Sequence, residues 1–339
     1  MPSPVKIIDN RTKKRIWLSE VIESSKKGKR FKPNLDLTVY NAWMSNYPML
    51  KLKTDSLGLR SRDLDLNPTL KSTPIRLLFL GDSITWSGYL PEENTFVFML
   101  QELLNKKERN KVITINGGIG DVGIEEEISL LNEAYEKIRP RMVILMFYLN
   151  DSRPPAGFES EKKLAWAKFL QKSRLIDIVY NNFQLQLYFM RHNILGKSYR
   201  YRWLYMSKTD KWKKDPVYFG DMAKEADLDW GAAWNEDSWE VIKKNIMELK
   251  KTAIEKDFNL LIACLPVSFQ VYSDFLDTRP QDKIASIALS ENIKFIDLLP
   301  ALRRNNKLAL FYDHCHLNAE GQRIVAGDLA EYILNHFEL

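Results

Sequence analysis

Four short polar stretches in this 339-residue chain carry residues that could do chemistry together. Gly81-Asp82-Ser83-Ile84-Thr85 offers a serine hydroxyl, and Tyr148-Leu149-Asn150-Asp151 a carboxamide. Asn116-Gly117-Gly118-Ile119-Gly120-Asp121-Val122-Gly123 offers backbone N–H groups with little side chain over them. Asp313-His314-Cys315-His316-Leu317-Asn318 sets a carboxylate three residues before an imidazole. A serine hydroxyl is a poor nucleophile at neutral pH, and needs an imidazole to take its proton and a carboxylate to hold that imidazole's tautomer. Asp313 and His316, in a turn leading into a helix, can lie on one side, so that the carboxylate meets Nδ1 while Nε2 points at Ser83. Attack on an ester would create an oxyanion, which needs donors fixed in advance; losing one typically costs about 3 kcal/mol. The candidate donors are the Ser83 backbone N–H, a backbone N–H in the turn from Gly118 to Asp121, and the Asn150 amide.

These stretches need elements that bring them to one place. Ile75 to Leu80 is a continuous apolar run closed by Gly81, which fits a strand buried on both faces. Thr95 to Leu104 has apolar residues at helical spacing. Val112 to Ile115 then reads as a strand, Ile124 to Ile138 as an amphipathic helix and Met142 to Tyr148 as a third strand. Leu260 to Leu265 and Phe295 to Leu298 supply two more strands, with helices at Asp237 to Lys256, Pro280 to Glu291 and Ala319 to Phe337. Alternating strands and helices predict a parallel sheet with crossover helices on both faces, a three-layer α/β/α sandwich. In such a sheet, reactive groups gather at the carboxyl ends of the strands, where three of the four stretches fall. Residues 1–73 read as an N-terminal extension packed on the core that follows from residue 74, and residues 152–235 as a helical, aromatic and basic insertion.

Composition agrees with an ordinary globular enzyme: 45% hydrophobic and 28% charged residues, far from disordered or fibrous chains. The net charge of +6 and pI near 9.0 allow attraction to anionic partners but say nothing of fold. Two cysteines imply no disulfide framework. No run approaches the roughly 18 apolar residues of a membrane span. Met1 to Asn10 lacks the apolar stretch of a secretory signal, so the expected compartment is the cytoplasm; removal of an export signal would place the same chain outside it.

Each stretch alone has an ordinary reading. A Gly-Asp-Ser tripeptide after a strand is common loop chemistry. The glycine turn lacks the lysine of a phosphate-binding loop and follows the second strand, not the first. Asp313, His314 and His316 could ligate zinc, yet only His192 and His336 remain elsewhere, both on expected helices, and no cysteine cluster completes a coordination sphere. No metal or organic cofactor is expected, and no nucleic acid partner. The aromatic and basic run Tyr199-Arg200-Tyr201-Arg202-Trp203-Leu204-Tyr205, followed by Lys211-Trp212-Lys213-Lys214, reads first as a helix face anchored in the core, and second as a substrate wall.

Together, and in this order, the four stretches resemble the four conserved blocks of the SGNH (GDSL-like) hydrolase superfamily. The resemblance spans Ile75 to Tyr148 and Asn259 to the C-terminus. It implies a five-stranded, flavodoxin-like sheet and a serine esterase in which Ser83 is the nucleophile, Asp313 and His316 its activating pair, and Ser83, Asn150 and a block-two residue the oxyanion hole. Block two departs from the family's Asn-x-Gly-x-x-Gly, because Asp121 stands where its last glycine falls; Gly120 is the expected donor, with Asp121 the alternative. Block three has Tyr148 in place of a glycine. Asp55-Ser56-Leu57-Gly58-Leu59-Arg60 resembles a segment that often precedes the first block in bacterial members, and reads as structural. Asp82, Trp86, Trp203 and Tyr205 are the expected substrate contacts. The expected substrate is a short-acyl ester of a carbohydrate or lipid. An O-acyltransferase using the same triad comes second, and a catalytically silent glycan- or partner-binding module third.

Overall fold

The computed structural model describes residues 5–17, 20–25, 28–42, 45–60, 74–108, 110–120, 122–152, 202–227 and 229–338. Ahead of the first core strand, β1 (Lys6–Asp9), β2 (Arg15–Ile16), β5 (Asp36–Tyr40) and β6 (Met49–Lys53) form an antiparallel sheet in the order β2-β1-β5-β6. Between them lies a hairpin of β3 (Ile22–Ser25) and β4 (Gly28–Phe31). Alternation drives this sheet: in β6, Leu50 and Leu52 are buried while Met49, Lys51 and Lys53 face water. Its buried face gathers Ile7, Val21, Phe31, Leu35, Leu37 and Leu52 into a small core. Ile119 and Val122, from the glycine-rich turn, complete that core.

The main sheet has five parallel strands among the described residues: β7 (Ile75–Leu80), β8 (Val112–Asn116), β9 (Met142–Tyr148), β10 (Asn259–Leu265) and β11 (Lys294–Asp297), in the order β11-β10-β9-β7-β8. This is the flavodoxin-like order that the family resemblance implies, and the strand positions read from the alternation agree to within a residue or two. The three central strands are nearly continuous apolar runs because helices cover both their faces. Five helices frame the site or the sheet: α1 (Ser83–Trp86), α2 (Phe96–Asn105), α3 (Ile124–Ile138), then, beyond three in the insertion, α7 (Ser238–Lys256) and, at the end, α11 (Ala319–His336). α2 packs against α11, and α3 against α7. Between α7 and α11 run α8 (Ser268–Tyr272), α9 (Arg279–Ser290) and α10 (Leu299–Arg304).

The insertion is described from residue 202 onward; residues 153–201 lie outside the described residues. Its helices are α4 (Arg202–Met206), α5 (Lys211–Lys214) and α6 (Pro216–Glu225), followed by a 3-10 segment at Trp230–Trp234. Asp215 caps α6 by accepting from Val217 and Tyr218 N–H, with Pro216 at its first position. Trp203, Trp212, Phe219, Trp230 and Trp234 turn inward and meet one another, Phe269 or Phe275 edge-on or tilted at 4.9 to 6.2 Å. The aromatic content of this stretch is therefore spent mainly on packing the insertion to the core.

At the sheet edge, burial pushes the Asp297 carboxyl up from 3.8 to about 6, helped by the charges of Asp282 and Asp328, although Oδ1 accepts from Leu299 N–H at 2.9 Å. A carboxyl whose folded pKa is raised favours folding when protonated, so the chain loses stability as pH rises from about 4 through about 6. Asp297→Asn keeps the acceptor and removes the charge. It should raise stability at pH 7.5 by on the order of 1 to 2 kcal/mol and leave it nearly unchanged at pH 4, read as the melting temperature of both proteins at the two pH values.

Candidate active site

The first reactive group sits where β7 ends. Asp82 follows Gly81 and its Oδ1 accepts from Ile84 N–H at 2.8 Å, capping a helix that begins at Ser83. That helix is a single turn, closed by Trp86 N–H to Asp82 O and Ser87 N–H to Ser83 O, both at 3.0 Å. Ser87 leaves it in the left-handed conformation at φ 49°. Starting a helix at the carboxyl edge of a parallel sheet sets the Ser83 hydroxyl at the open end of the strands.

The second group comes from the loop before α11. Phe311 and Leu317 pair across this loop, and Tyr312 N–H bonds to His316 O at 2.7 Å, so the residues between them form a tight hairpin-like turn. Asp313 Oδ1 accepts from the backbone N–H of Cys315 at 2.9 Å and of His316 at 2.8 Å, while its Oδ2 meets His316 Nδ1 at 2.8 Å. With Nδ1 taken, His316 Nε2 lies 3.0 Å from Ser83 Oγ. Burial alone would raise the Asp313 carboxyl, but the hydrogen bond and charge of His316, with the charge of His314, hold it well below the usual carboxylate range. An ionised carboxylate on Nδ1 favours the tautomer with a bare Nε2, the atom that can accept the serine proton. Tyr89, buried, sets its ring edge-on to His316 at 5.2 Å and to Tyr312 at 5.6 Å.

Donors surround the serine. In the glycine turn, Gly118 N–H is taken by Asn116 Oδ1 at 2.9 Å and Ile119 N–H by Gly81 O at 3.2 Å. The Gly120 and Ser83 N–H groups have no partner among the described residues. A side-chain carbon built on Gly120 would lie 3.9 Å from Ser83 Cβ, so this residue flanks the hydroxyl. Asp121 lies outside the described residues. Asn150, in the turn Leu149–Ser152 after β9, points Nδ2 at Asp82 Oδ2, 3.4 Å away, while its buried Oδ1 has no partner among the described residues. The structure thus brings Ser83, Gly120, Asn150, Asp313 and His316 to one end of the sheet.

The expected substrate contacts fare differently. Asp82 is 1% exposed and committed to capping α1, so it lies beneath the site and is not a wall of it. Trp203, 3% exposed, is also corrected: it packs on Trp230 and Phe269 and meets the His314 ring at 4.9 Å, because the inner face of α4 seals the insertion to the core. Trp86 stacks on Phe31 at 5.0 Å and anchors the N-terminal sheet. Tyr205, on the outer face of the same short helix as Trp203, is 65% exposed. His314 meets Asp229 at 3.4 Å, a structural link of the insertion to the Asp313 loop. The donor atoms of Asp313, His314 and Cys315 lie within 4.8 Å of one another, but Asp313 is already spent on His316 and His314 on Asp229. Two participants carried no local sequence signal: Tyr89 against the imidazole, and Gln322, whose Nε2 bonds to Ser87 Oγ at 2.8 Å.

A flavodoxin-like sandwich with a hydrogen-bonded Ser–His–Asp series at its strand ends is the architecture of a serine hydrolase. A family model described as GDSL-like lipase/acylhydrolase matches residues 77–329. The chain belongs to this family and is an ester hydrolase. A search of curated proteins finds no match. Similar solved structures include an acetyl xylan esterase at 17% identity, covering 76% of this chain and 100% of that one, with a TM-score of 0.40. A lipolytic protein of the G-D-S-L family from Veillonella parvula shows 14% identity, 78% and 100% coverage and a TM-score of 0.43. A catalytic mutant of an acetylxylan esterase from Geobacillus stearothermophilus shows 15% identity, 79% and 98% coverage and a TM-score of 0.43.

The two glycines of the turn differ in what a methyl group would meet. At Gly118 a Cβ would lie 2.3 Å from Trp86 N and 2.7 Å from Thr85 C, backbone atoms that can yield only if α1 moves. Gly118→Ala should therefore destabilise the protein by about 1 to 3 kcal/mol and depress turnover. Gly120→Ala, with its nearest neighbour at 3.9 Å, should melt near the wild-type temperature. Thermal melts and kcat of both variants check this contrast.

Proposed function

We propose that the chain hydrolyses a short-acyl carboxylic ester, acetyl first, of a carbohydrate, through an acyl-enzyme on Ser83. His316 Nε2 takes the hydroxyl proton as Oγ bonds to the ester carbonyl carbon. The negative charge that develops on the carbonyl oxygen is held by the N–H groups of Ser83 and Gly120 and by Asn150 Nδ2. The tetrahedral species collapses with loss of the alcohol, which takes the proton from His316. Water then adds to the acyl-serine, giving its proton to His316, and the carboxylic acid leaves as Oγ recovers that proton. Asp313 stays ionised throughout and steadies the imidazolium.

The observation that carries this reading is the pair of contacts on one imidazole, 3.0 Å from Nε2 to Ser83 Oγ and 2.8 Å from Nδ1 to Asp313 Oδ2. The short acyl group is supported by Tyr148: its ring is fully buried at the end of β9, beside the Asn150 turn, where the family pattern has glycine. Exposed Tyr205, with Lys208 and Lys211 close in sequence, supports a sugar as the alcohol, since such rings stack on saccharide faces.

Hydrolysis of p-nitrophenyl acetate, butyrate and octanoate, with labelling by a fluorophosphonate probe, tests the reading. Wild type should favour acetate and label, and Ser83→Ala should do neither. Asn150→Ala should lose roughly 100- to 1000-fold in kcat, and Asp313→Asn roughly 10,000-fold. A folded wild type that neither turns over nor labels would sink the hydrolase reading. Faster acetyl transfer to a sugar hydroxyl than to water would move it to an O-acyltransferase.

A further inference from the structure

Among the described residues, Arg60 is a buried cation that the roles given so far leave unexplained. Arg60 ends the Asp55-Ser56-Leu57-Gly58-Leu59-Arg60 segment and is 4% exposed, in a part of the chain far in sequence from any proposed catalytic group. The segment is built to deliver it: Asp55 Oδ1 accepts from the N–H groups of Leu57 at 2.7 Å and Leu59 at 2.9 Å, and Gly58 turns the chain at φ +79°. Arg60 then pairs with Asn116, at the end of β8, in an antiparallel bridge.

Its guanidinium donates to three carbonyls. Nη1 meets Trp86 O and Ser87 O, each at 2.7 Å, and Nη2 meets Leu90 O at 2.7 Å. Trp86 is the last residue of α1 and Ser87 its C-cap. A one-turn helix has no stability of its own, because nucleation fixes several dihedrals for a single hydrogen bond. The turn that carries Ser83 must be held at both ends: Asp82 holds the first, and Arg60 gathers the carbonyls of the last, where a cation also complements the helix dipole. Asn116 adds a neighbouring tie, donating from Nδ2 to Thr85 O at 2.8 Å.

The same fork reaches the turn that packs on the imidazole. Leu90 N–H returns to Ser87 O at 3.0 Å, closing a turn whose interior residues are Gly88 and Tyr89, and the Tyr89 ring lies edge-on to His316 at 5.2 Å. The planar, five-donor guanidinium spreads its N–H groups wide enough to bind three carbonyls over two connected turns. We infer that Arg60 is a positioning residue: one guanidinium fixes the helix that carries Ser83 and the turn that packs Tyr89 on His316, and so sets the contact between hydroxyl and imidazole. This rests on the hydrolase reading above. It makes the segment before the core a working part of the site.

Arg60→Ala and Arg60→Lys test it. Each is assayed below its own melting temperature for kcat and KM on p-nitrophenyl acetate and for the rate of Ser83 labelling by a fluorophosphonate. In Arg60→Ala, kcat and labelling should fall together by about 10- to 100-fold, since small misplacements of reacting groups cost that much, while KM changes by less than about twofold. Arg60→Lys should recover part of the loss, and methylguanidine should raise the activity of Arg60→Ala. Should the alanine variant not fold, the lysine variant decides alone. Unchanged kcat and labelling overturn the inference however far the melting temperature drops, as does a rise in KM alone. If wild type itself neither labels nor turns over, the hydrolase reading has failed, and Arg60 is judged by the His316 ring resonances. A changed chemical shift in Arg60→Lys, as the Tyr89 ring current moves, upholds the positioning role; an unchanged shift ends it.

Discussion

Ser83 and His316 meet at 3.0 Å although 233 positions separate them in the chain. Neither residue comes from an element that could hold the geometry by itself. Ser83 starts a one-turn helix, and His316 sits in a loop pinned by the Phe311 and Leu317 bridge and by the cap of α11. A contact of this kind needs a scaffold that fixes both ends to a fraction of an ångström, and the parallel sheet supplies it. β7 is central, flanked by β8 and β9, so the serine, the glycine turn and Asn150 leave three neighbouring strands at the same edge.

Around that edge the structure spends its buried polar groups on holding loops. Asp82 caps α1, Asn116 ties Thr85 to Gly118, Arg60 clamps the turn after α1, and Gln322 connects Ser87 Oγ to Phe96 N–H at the start of α2. Each side chain bonds at least one backbone group, the means by which irregular segments satisfy groups that a helix or strand would have paired internally. The N-terminal sheet closes over the same region, since Phe31 stacks on Trp86 and Ile119 and Val122 enter its small core. The insertion supports the other side, with Trp203 against the His314 ring and Asp229 3.4 Å from its Nε2.

The sequence pattern was most legible where one rule applied over many residues. The apolar runs of β7, β9 and β10 and the helical spacing of α2, α3 and α7 placed the core elements closely, because strands buried on both faces and amphipathic helices leave strong periodic signals. The N-terminal strands escaped the same reading. They are two to five residues long, and charged residues on their outer face, such as Lys51 and Lys53 beside Leu50 and Leu52, resemble a loop when the partner strand is not in view. Trp203 and Asp82 were misjudged for a related reason: a tryptophan among basic residues and an aspartate beside a serine look available to a substrate until burial shows what each already touches.

By itself the sequence determined which residue types stand at the strand ends and in what order: Ser83, the glycine turn, Asn150, and Asp313 three residues before His316. Local spacing settles the Asp313 and His316 pairing, since a short turn brings the carboxylate to Nδ1 and to two backbone amides. The tertiary structure decided which backbone donors beside the serine have no partner among the described residues, which aromatics are exposed and which are core, and that Tyr89 packs on the His316 ring while Arg60 holds the turn that carries Ser83. Those outcomes depend on contacts between segments tens to hundreds of residues apart. Periodicity reports the face a residue turns to its own element, and it carries no information on which distant carbonyl or ring will meet that face.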